Sequence, residues 1–323
     1  MKTSELAVKI DREWPPGRTI GTTAELTCVG LGPRLLQAGV KAGLLYRIRH
    51  GAYMKMTEWQ QKLPSEKDGL RLAAHFTATH GNVVYSHLSA ARLLGLSVWN
   101  AGPCIHVTTR SSRSAKSATP GVSVHRRTLQ RMQHQRIRHH RLGTVRVTSL
   151  EQTIVDCART ESFVTAVIIG DCGLHRGASM ETLHHLVDSL PGRRGVRAAR
   201  KVLAALNIGS ESAGETRLRL AVAEMDVPQP EYQVCLQAAG NNYRVDGAWD
   251  DIKLALEFDG RTKYFNYQRT DEAIYEERLR ERELMEAGWS FLRIQWSDLA
   301  NQDLLKRRIM AARDAARRRS GLP

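Results

Sequence analysis

Four carboxylates in the last third of the chain fall where a metal-dependent hydrolytic site needs them. Asp246 lies in a stretch, 243–249, that reads as a strand, and Glu257 and Asp259 lie in the next, 253–259. Residues two apart in a strand share a face, so Glu257 and Asp259 point the same way. A tight hairpin at Asp250 and Asp251 sets Asp246 opposite Ala255 and Arg244 opposite Glu257; slipping by two residues pairs Asp246 with Glu257 instead. In either register the three acids are expected on one face, close enough to share a divalent cation. Glu215 comes three residues before Leu218 and points along the apolar side of its helix, towards the sheet. Ser212-x-x-Glu215 is equally a capping box, and the two roles are compatible.

Carboxylates gathered in this way repel one another and call for a cation. At 100° per residue, Arg278 and Arg282 fall inside the arc set by Leu284, Ile274, Met285 and Leu279, so both are expected to face the sheet. There they would pair with the acids or hold a scissile phosphate. Lys263, beyond Gly260, is a third candidate.

The elements that position these residues follow from the pattern. A helix from Ser212 is stopped by Pro228 and Pro230, and strands at 232–237, 243–249 and 253–259 follow. A charged helix over 271–287 ends at Gly288, a strand covers 290–296, and a last helix starts at Asp303. The order is αβββαβ with a terminal helix. A polar, glycine-bearing segment, 206–214, marks the boundary of this domain.

Charge separates the two parts. Of 48 Lys plus Arg and 33 Asp plus Glu, residues 207–323 hold 18 and 20, a net of −2, which leaves 30 and 13, a net of +17, in residues 1–206. Such asymmetry predicts different tasks, with a polyanion bound at the front. There, 22–55 reads as helix, turn, second helix and hairpin, with Pro33 in the first turn of the second helix. Leu35, Leu36, Val40 and Leu44 form its apolar side, and Arg34, Gln37 and Lys41 share its polar side. A basic hairpin carrying Arg47 and Arg49 turns at Gly51. This is the layout of a winged helix-turn-helix, in which the second helix enters the major groove and the wing tracks phosphates. Between His125 and Arg141 lie six arginines and four histidines without a carboxylate. A phosphate backbone suits that run, whereas a zinc site at His134, His139 and His140 is not expected, since no cysteine or carboxylate is near. The segment 110–117 reads as a basic loop between two strands.

Some classes are excluded. No window approaches eighteen apolar residues, so no membrane partner is expected. The first twenty residues lack the apolar run of a secretory signal. Five scattered cysteines without a CxxC argue against disulfides and place the chain in a reducing cytoplasm. Aromatic residues are 6% of the chain and form no base-stacking strand, so RNA is the less expected ligand.

Two resemblances extend this reading. Glu215, Tyr243-Arg-Val-Asp246, Leu254-Ala-Leu-Glu-Phe-Asp-Gly260 and Gly288-Trp-Ser-Phe-Leu-Arg293 resemble a PD-(D/E)xK nuclease domain, nearest to the branch similar to very-short-patch repair endonucleases. Gly43-Leu-Leu-Tyr-Arg-Ile-Arg-His-Gly-Ala-Tyr53, Ser86-His-Leu-Ser-Ala-Ala-Arg-Leu-Leu-Gly95 and Val147-Thr-Ser-Leu-Glu-Gln-Thr-Ile-Val-Asp156 resemble an AbiEi-type antitoxin module. Together they imply an α+β multidomain protein: a winged helix-turn-helix over 1–60, a basic α/β and helical middle region over 61–206, and a restriction-endonuclease-like domain over 207–323. The implied activity is DNA endonuclease with Mg²⁺ or Mn²⁺ held by Glu215, Asp246 and Glu257, acting on duplex DNA, with a protein partner or homodimer left open. One departure stands out. Where the nuclease pattern has Glu-x-Lys, this chain has Glu257-Phe258-Asp259. Asp259 cannot supply the cation, so Lys263 or an inward arginine would substitute, or the fold would serve a DNA-binding repressor or antitoxin without turnover.

Overall fold

The computed structural model describes residues 2–79, 83–110, 120–260 and 271–321. It is a mixed α/β protein with three sheets, and its contacts define two compact units, Met1–Gly95 with Ala101–Thr153, and Leu96–Asn100 with Ile154–Pro323. The position 206, where the sequence suggests a boundary, lies inside the second unit. Among the described residues no helix is long and apolar enough to cross a membrane.

The first unit opens with α1 (Thr3–Glu13), β1 (Gly21–Thr22), α2 (Thr23–Cys28), α3 (Pro33–Lys41), β2 (Leu45–Arg49) and β3 (Ala52–Lys55). The strands form a small sheet in the order β1-β3-β2. A capping box starts α2: the Thr22 hydroxyl accepts the Glu25 amide at 3.2 Å, and the Glu25 carboxylate accepts the Thr22 amide at 2.9 Å. Gly30, at φ +86°, makes the turn that α3 needs before Pro33 fills its first position. Leu6, Ile10, Leu26, Leu36 and Leu45 close the core beneath. Only Leu36 and Gly39 of α3 are fully buried. A Cβ on Gly39 would meet Leu45 at 3.0 Å and Ile10 at 3.1 Å, so glycine lets α1 and β2 close on α3.

The unit continues through α4 (Met56–Gln61), α5 (Pro64–Thr79), β4 (Val84–Tyr85), α6 (His87–Leu93), β5 (Ile105–Thr109), β6 (Val122–Arg126), β7 (His134–His139) and β8 (Gly143–Thr148). Its second sheet runs β6-β5-β4-β8-β7. The pairs β5–β6 and β4–β8 are parallel, while β4–β5 and β7–β8 are antiparallel. Tyr85, Val107, Val145 and Val147 form the core on this sheet. Beyond Arg110, the expected basic loop lies outside the described residues.

The second unit contains α8 (Phe163–His175), α9 (Met180–Asp188), α10 (Val196–Ala204) and α11 (Ala213–Ala223), which follow α7 (Leu150–Thr160). Then come β9 (Glu231–Ala238), β10 (Asn241–Trp249), β11 (Leu254–Asp259), α12 (Asp271–Glu286), β12 (Ser290–Gln295) and α13 (Gln302–Arg319). From α11 onward this is the expected αβββαβ order with a terminal helix. The sheet runs β12-β11-β10-β9, with β11 and β12 parallel and the other pairs antiparallel. Both faces are covered. Leu254, Leu256, Phe258, Leu292 and Ile294 pack with Leu218 and Val222 of α11 and with Leu305 and Ile309 of α13. Ala255, Val245 and Leu236 pack on the other face with Leu284 of α12 and with Trp289. Gly214 permits the first contact, because a Cβ there would sit 1.9 Å from Phe258 Cε1.

One buried ion pair fastens α11 to α8. Asp171, 1% exposed at its side chain, accepts Arg219 Nη2 at 2.7 Å, Thr216 Oγ1 at 2.8 Å and the Asn207 amide at 2.7 Å. Burial pushes the Asp171 carboxyl above its ordinary range, against the pull of Arg219 and the three hydrogen bonds. Removing one partner of such a pair strands a charge in the interior, at a cost of about 3–5 kcal/mol. Asp171→Ala is therefore expected to lower the unfolding free energy of the second unit by about that amount in urea titrations. A loss below about 1 kcal/mol would show that the pair fastens nothing.

Candidate functional site

On the basic front, α3 buries one side and presents the other. Arg34, Gln37 and Lys41 are all exposed, at i, i+3 and i+7 on one helical face. Arg47 is exposed on β2 two residues after the strand begins. Arg49 is not part of this surface. The β2–β3 register shifts between Arg47 and Arg49, and a bulge of this kind re-aims the side chain that follows it. Arg49 turns inward, where Nε and Nη1 are buried without a hydrogen-bond partner. Burial lowers its pKa from the ordinary arginine range, with Tyr85 acting weakly the other way. Nearby, His75 Nδ1 lies 2.9 Å from the Tyr85 hydroxyl, and burial, reinforced by Arg49, pushes His75 down to about 4. The exposed set on α3 and the hairpin is therefore three cations, Arg34, Lys41 and Arg47, with the neutral amide Gln37.

In the C-terminal sheet the four acids do not converge. The β10–β11 pairs are Gly247↔Leu256, Ala248↔Ala255 and Trp249↔Leu254, which is the register slipped by two residues. One step further it would set Asp246 level with Glu257, but the ladder stops at Gly247. Asp246 turns towards α11, where it lines one cavity with Glu215, Ser210, Leu218, Tyr232 and Leu256. Its Oδ2 accepts the Phe258 amide at 2.7 Å. Glu257 belongs to the opposite face, following Ala255 in the alternation of β11, and pairs with Arg280 and, at 3.3 Å, with Arg293. Asp259 follows Glu257 on that alternation. The single face expected for the strand acids is thus divided into two, because β10 joins the β11 ladder only at Gly247, one residue after Asp246.

The same local break is visible from β9. Its pairing with β10 runs to Val245↔Val234 and resumes at Gly247↔Tyr232, passing over Asp246 and Gln233. Gln233 has φ +54°, a left-handed conformation that costs a residue with a side chain about 1–3 kcal/mol. Gln233 Nε2 reaches Glu215 Oε2 at 3.4 Å. Ser212 Oγ accepts the Glu215 amide at 3.2 Å, as a cap should, while the Glu215 carboxylate accepts the Glu211 amide at 2.8 Å. The cap is therefore one-sided, with the carboxylate reaching one residue further back than a capping box requires. In the same cavity the Tyr232 hydroxyl is buried without a partner, and burial pushes its pKa up to about 12. Tyr232 and Gln233 were not singled out by sequence; a strand position forced into the left-handed region gives no compositional signal.

The cations also differ from expectation. Arg278 is exposed, and Arg282, also exposed, lies 3.8 Å from Glu286. The inward arginine of α12 is Arg280, which reaches Glu257, Glu277 at 2.9 Å and the Arg244 carbonyl at 3.1 Å. Burial alone would lower the Arg280 pKa, but Glu257 and Glu277 outweigh it and raise it. Met285 explains the misplacement: it entered the apolar arc but is 58% exposed, so the true inward side is centred on Arg280, Leu284 and Ala287. Lys263 lies outside the described residues. Among those residues, the one group of three or more His, Cys, Asp or Glu side chains close enough to share an ion is His87, His106 and His125.

The fold and these surfaces define a mixed α/β multidomain protein. No family model matches the chain. Two Mycobacterium tuberculosis proteins, Uncharacterized protein MT2308 and Uncharacterized protein Rv2248, are each 30% identical to it over 271 residues, covering 83% of this chain and 91% of their own. The chain belongs to the family of these two proteins. The crystal structure of the RV2827C protein from Mycobacterium tuberculosis is similar with a TM-score of 0.40 at 16% identity, over 73% of this chain and 88% of that one.

Since Arg280 is one of two cations on a half-buried carboxylate, Arg280→Met is expected to cost about 1–3 kcal/mol in urea unfolding. Arg278→Ala, two residues away on the other side of the helix and exposed, should stay within about 0.5 kcal/mol of the wild type. Equal effects would return Arg278 to the sheet-facing side.

Proposed function

We propose that the chain is a duplex-DNA-binding protein of winged-helix type, with α3 as the helix that enters the major groove and the β2–β3 hairpin as its wing. The observation that carries this reading is the exposed row Arg34, Gln37 and Lys41 on α3, followed by exposed Arg47 on the hairpin. Arginine and glutamine can each make paired hydrogen bonds to base edges, and lysine and the wing arginine suit phosphates. The net charge of +17 over residues 1–206 supplies the attraction that brings DNA to this side. On this reading the C-terminal αβββαβ domain acts without turnover: its Glu257 is engaged by two arginines, and Asp259 stands two residues on, where the nuclease pattern has lysine.

A second reading, a Mg²⁺- or Mn²⁺-dependent endonuclease, is favoured by one observation. Glu215 and Asp246 share a cavity with the unpartnered Tyr232 hydroxyl, and an orphaned buried hydroxyl suits a small polar guest such as a water molecule. Mg²⁺ is commonly held by one or two carboxylates with water completing its shell, so Glu215 and Asp246 are the pair that would hold it once the cavity opened to admit that shell, while Glu257 does not join them. A cation there would activate water and neutralise charge at phosphate. Glu215 and Asp246 would hold it, and Tyr232 would orient a water.

Fluorescence anisotropy with duplex DNA tests the first reading. The logarithm of affinity is expected to fall linearly with that of salt, and Arg34→Ala with Lys41→Ala to weaken binding at least about tenfold and to flatten the slope by roughly one to two ions. Unchanged affinity in the double variant would overturn the assignment of α3. Incubation with plasmid, nicked, mismatched and single-stranded DNA in Mg²⁺ or Mn²⁺ separates the readings. Binding without cleavage supports the first, and cleavage abolished by Asp246→Ala supports the second.

A further inference from the structure

We propose that His87, His106 and His125 form a transition-metal site of the zinc class, separate from the DNA-binding surface and from the acidic cavity. The three come from neighbouring segments of the five-stranded sheet. His87 follows the end of β4, His106 lies on β5 and His125 on β6. The Ser86 amide donates to the His106 carbonyl at 3.1 Å, which ties the His87 turn to β5. The parallel β5–β6 register sets His106 against Ser123 and Thr108 against His125, so the two histidines are diagonal neighbours on one face.

One nitrogen from each ring lies within 4.8 Å of the others, and His106 Nδ1 and His125 Nε2 are 3.0 Å apart. Without an ion that is a hydrogen bond between the rings, and a separation of about 3.3 Å, a few tenths of an ångström longer, suits two nitrogens sharing one tetrahedral ion about 2.0–2.1 Å from each. One ring is also held from behind: His87 Nδ1 lies 3.0 Å from the Ser86 hydroxyl, the kind of outer partner that orients a ligating imidazole. The Ser89 hydroxyl accepts the His106 backbone amide at 2.8 Å and so fixes the β5 backbone beside α6. His87 is buried, and its backbone has φ +50°, a conformation unfavourable for a side chain of this size unless its placement is needed.

The donor set selects the ion. Three imidazoles without a carboxylate disfavour Mg²⁺ and Ca²⁺ and suit Zn²⁺, Co²⁺, Ni²⁺ or Cu²⁺. Three protein nitrogens leave a fourth tetrahedral position to water or an exchangeable anion.

The test uses the full chain, stripped with chelator and titrated with Co²⁺ and Zn²⁺. One equivalent of Co²⁺ should give the visible absorption of a four-coordinate site, displaced by Zn²⁺. His106→Gln and His125→Gln should each weaken binding at least about tenfold, while a His139→Gln, His140→Gln double variant at the end of β7 should bind as the wild type does. In the wild type, imidazole NMR should show three histidines shifted together by Zn²⁺, a readout that needs no variant to fold. Absence of Co²⁺ absorption, unaltered affinity in His106→Gln, loss of binding in the β7 double variant, or shifts confined to other histidines would overturn the site.

Discussion

The carboxylate of Asp171 is taken out of water and given three donors in return, and much of the second unit is arranged by that exchange. Desolvating a carboxylate and a guanidinium is costly, and the cost is recovered only when geometry is good and the remaining lone pairs are used. Here Arg219, Thr216 and the Asn207 amide use them. Two of these groups lie on α11 and the third lies in the segment leading to it, so the pair sets the position of α11 against α8. Gly214, at the start of α11, then lies against Phe258 of β11, and Glu215 is brought beside Asp246.

With α11 fixed, the sheet has two chemically different faces. The α11 side carries an apolar core interrupted by a polar cavity containing two carboxylates and a tyrosine hydroxyl. The α12 side carries Glu257 in a cluster with Arg280, Arg293, Glu277 and Glu281. Alternation along β11 makes this division unavoidable: a strand whose even-numbered residues Leu254, Leu256 and Phe258 face α11 must send Glu257 the other way. Asp246 escapes to the α11 side only because β10 departs from regular pairing beside it, with Gln233 in the left-handed region as the local strain that accompanies the departure. The site chemistry therefore depends on one irregular step in the sheet.

Much of the architecture was legible in the residues. Pro33, the Leu36 stripe and Gly51 announced the helix and hairpin of the front, and proline and glycine breaks marked the αβββαβ order of the back. The polar row on α3 was readable because a helix with few buried positions leaves its outer face to the sequence pattern. What stayed hidden was set by tertiary context. A bulge turned Arg49 inward, an exposed methionine biased the arc that placed Arg278 and Arg282, and β7 was obscured by arginines and histidines in place of alternating apolar residues. The histidine group was invisible for a plainer reason. His87, His106 and His125 lie on three separate segments, and only the parallel pairing of β5 with β6 and the return of β4 beside them bring the rings together.

The assignment of DNA to the α3 and hairpin surface is tested most directly by photo-crosslinking the intact protein to duplex DNA and mapping the crosslinked peptides by mass spectrometry. Crosslinks concentrated within 33–49 are predicted, since Arg34, Gln37, Lys41 and Arg47 stand exposed there. Crosslinks confined to the arginine- and histidine-rich run at 125–141, with none in 33–49, would contradict it.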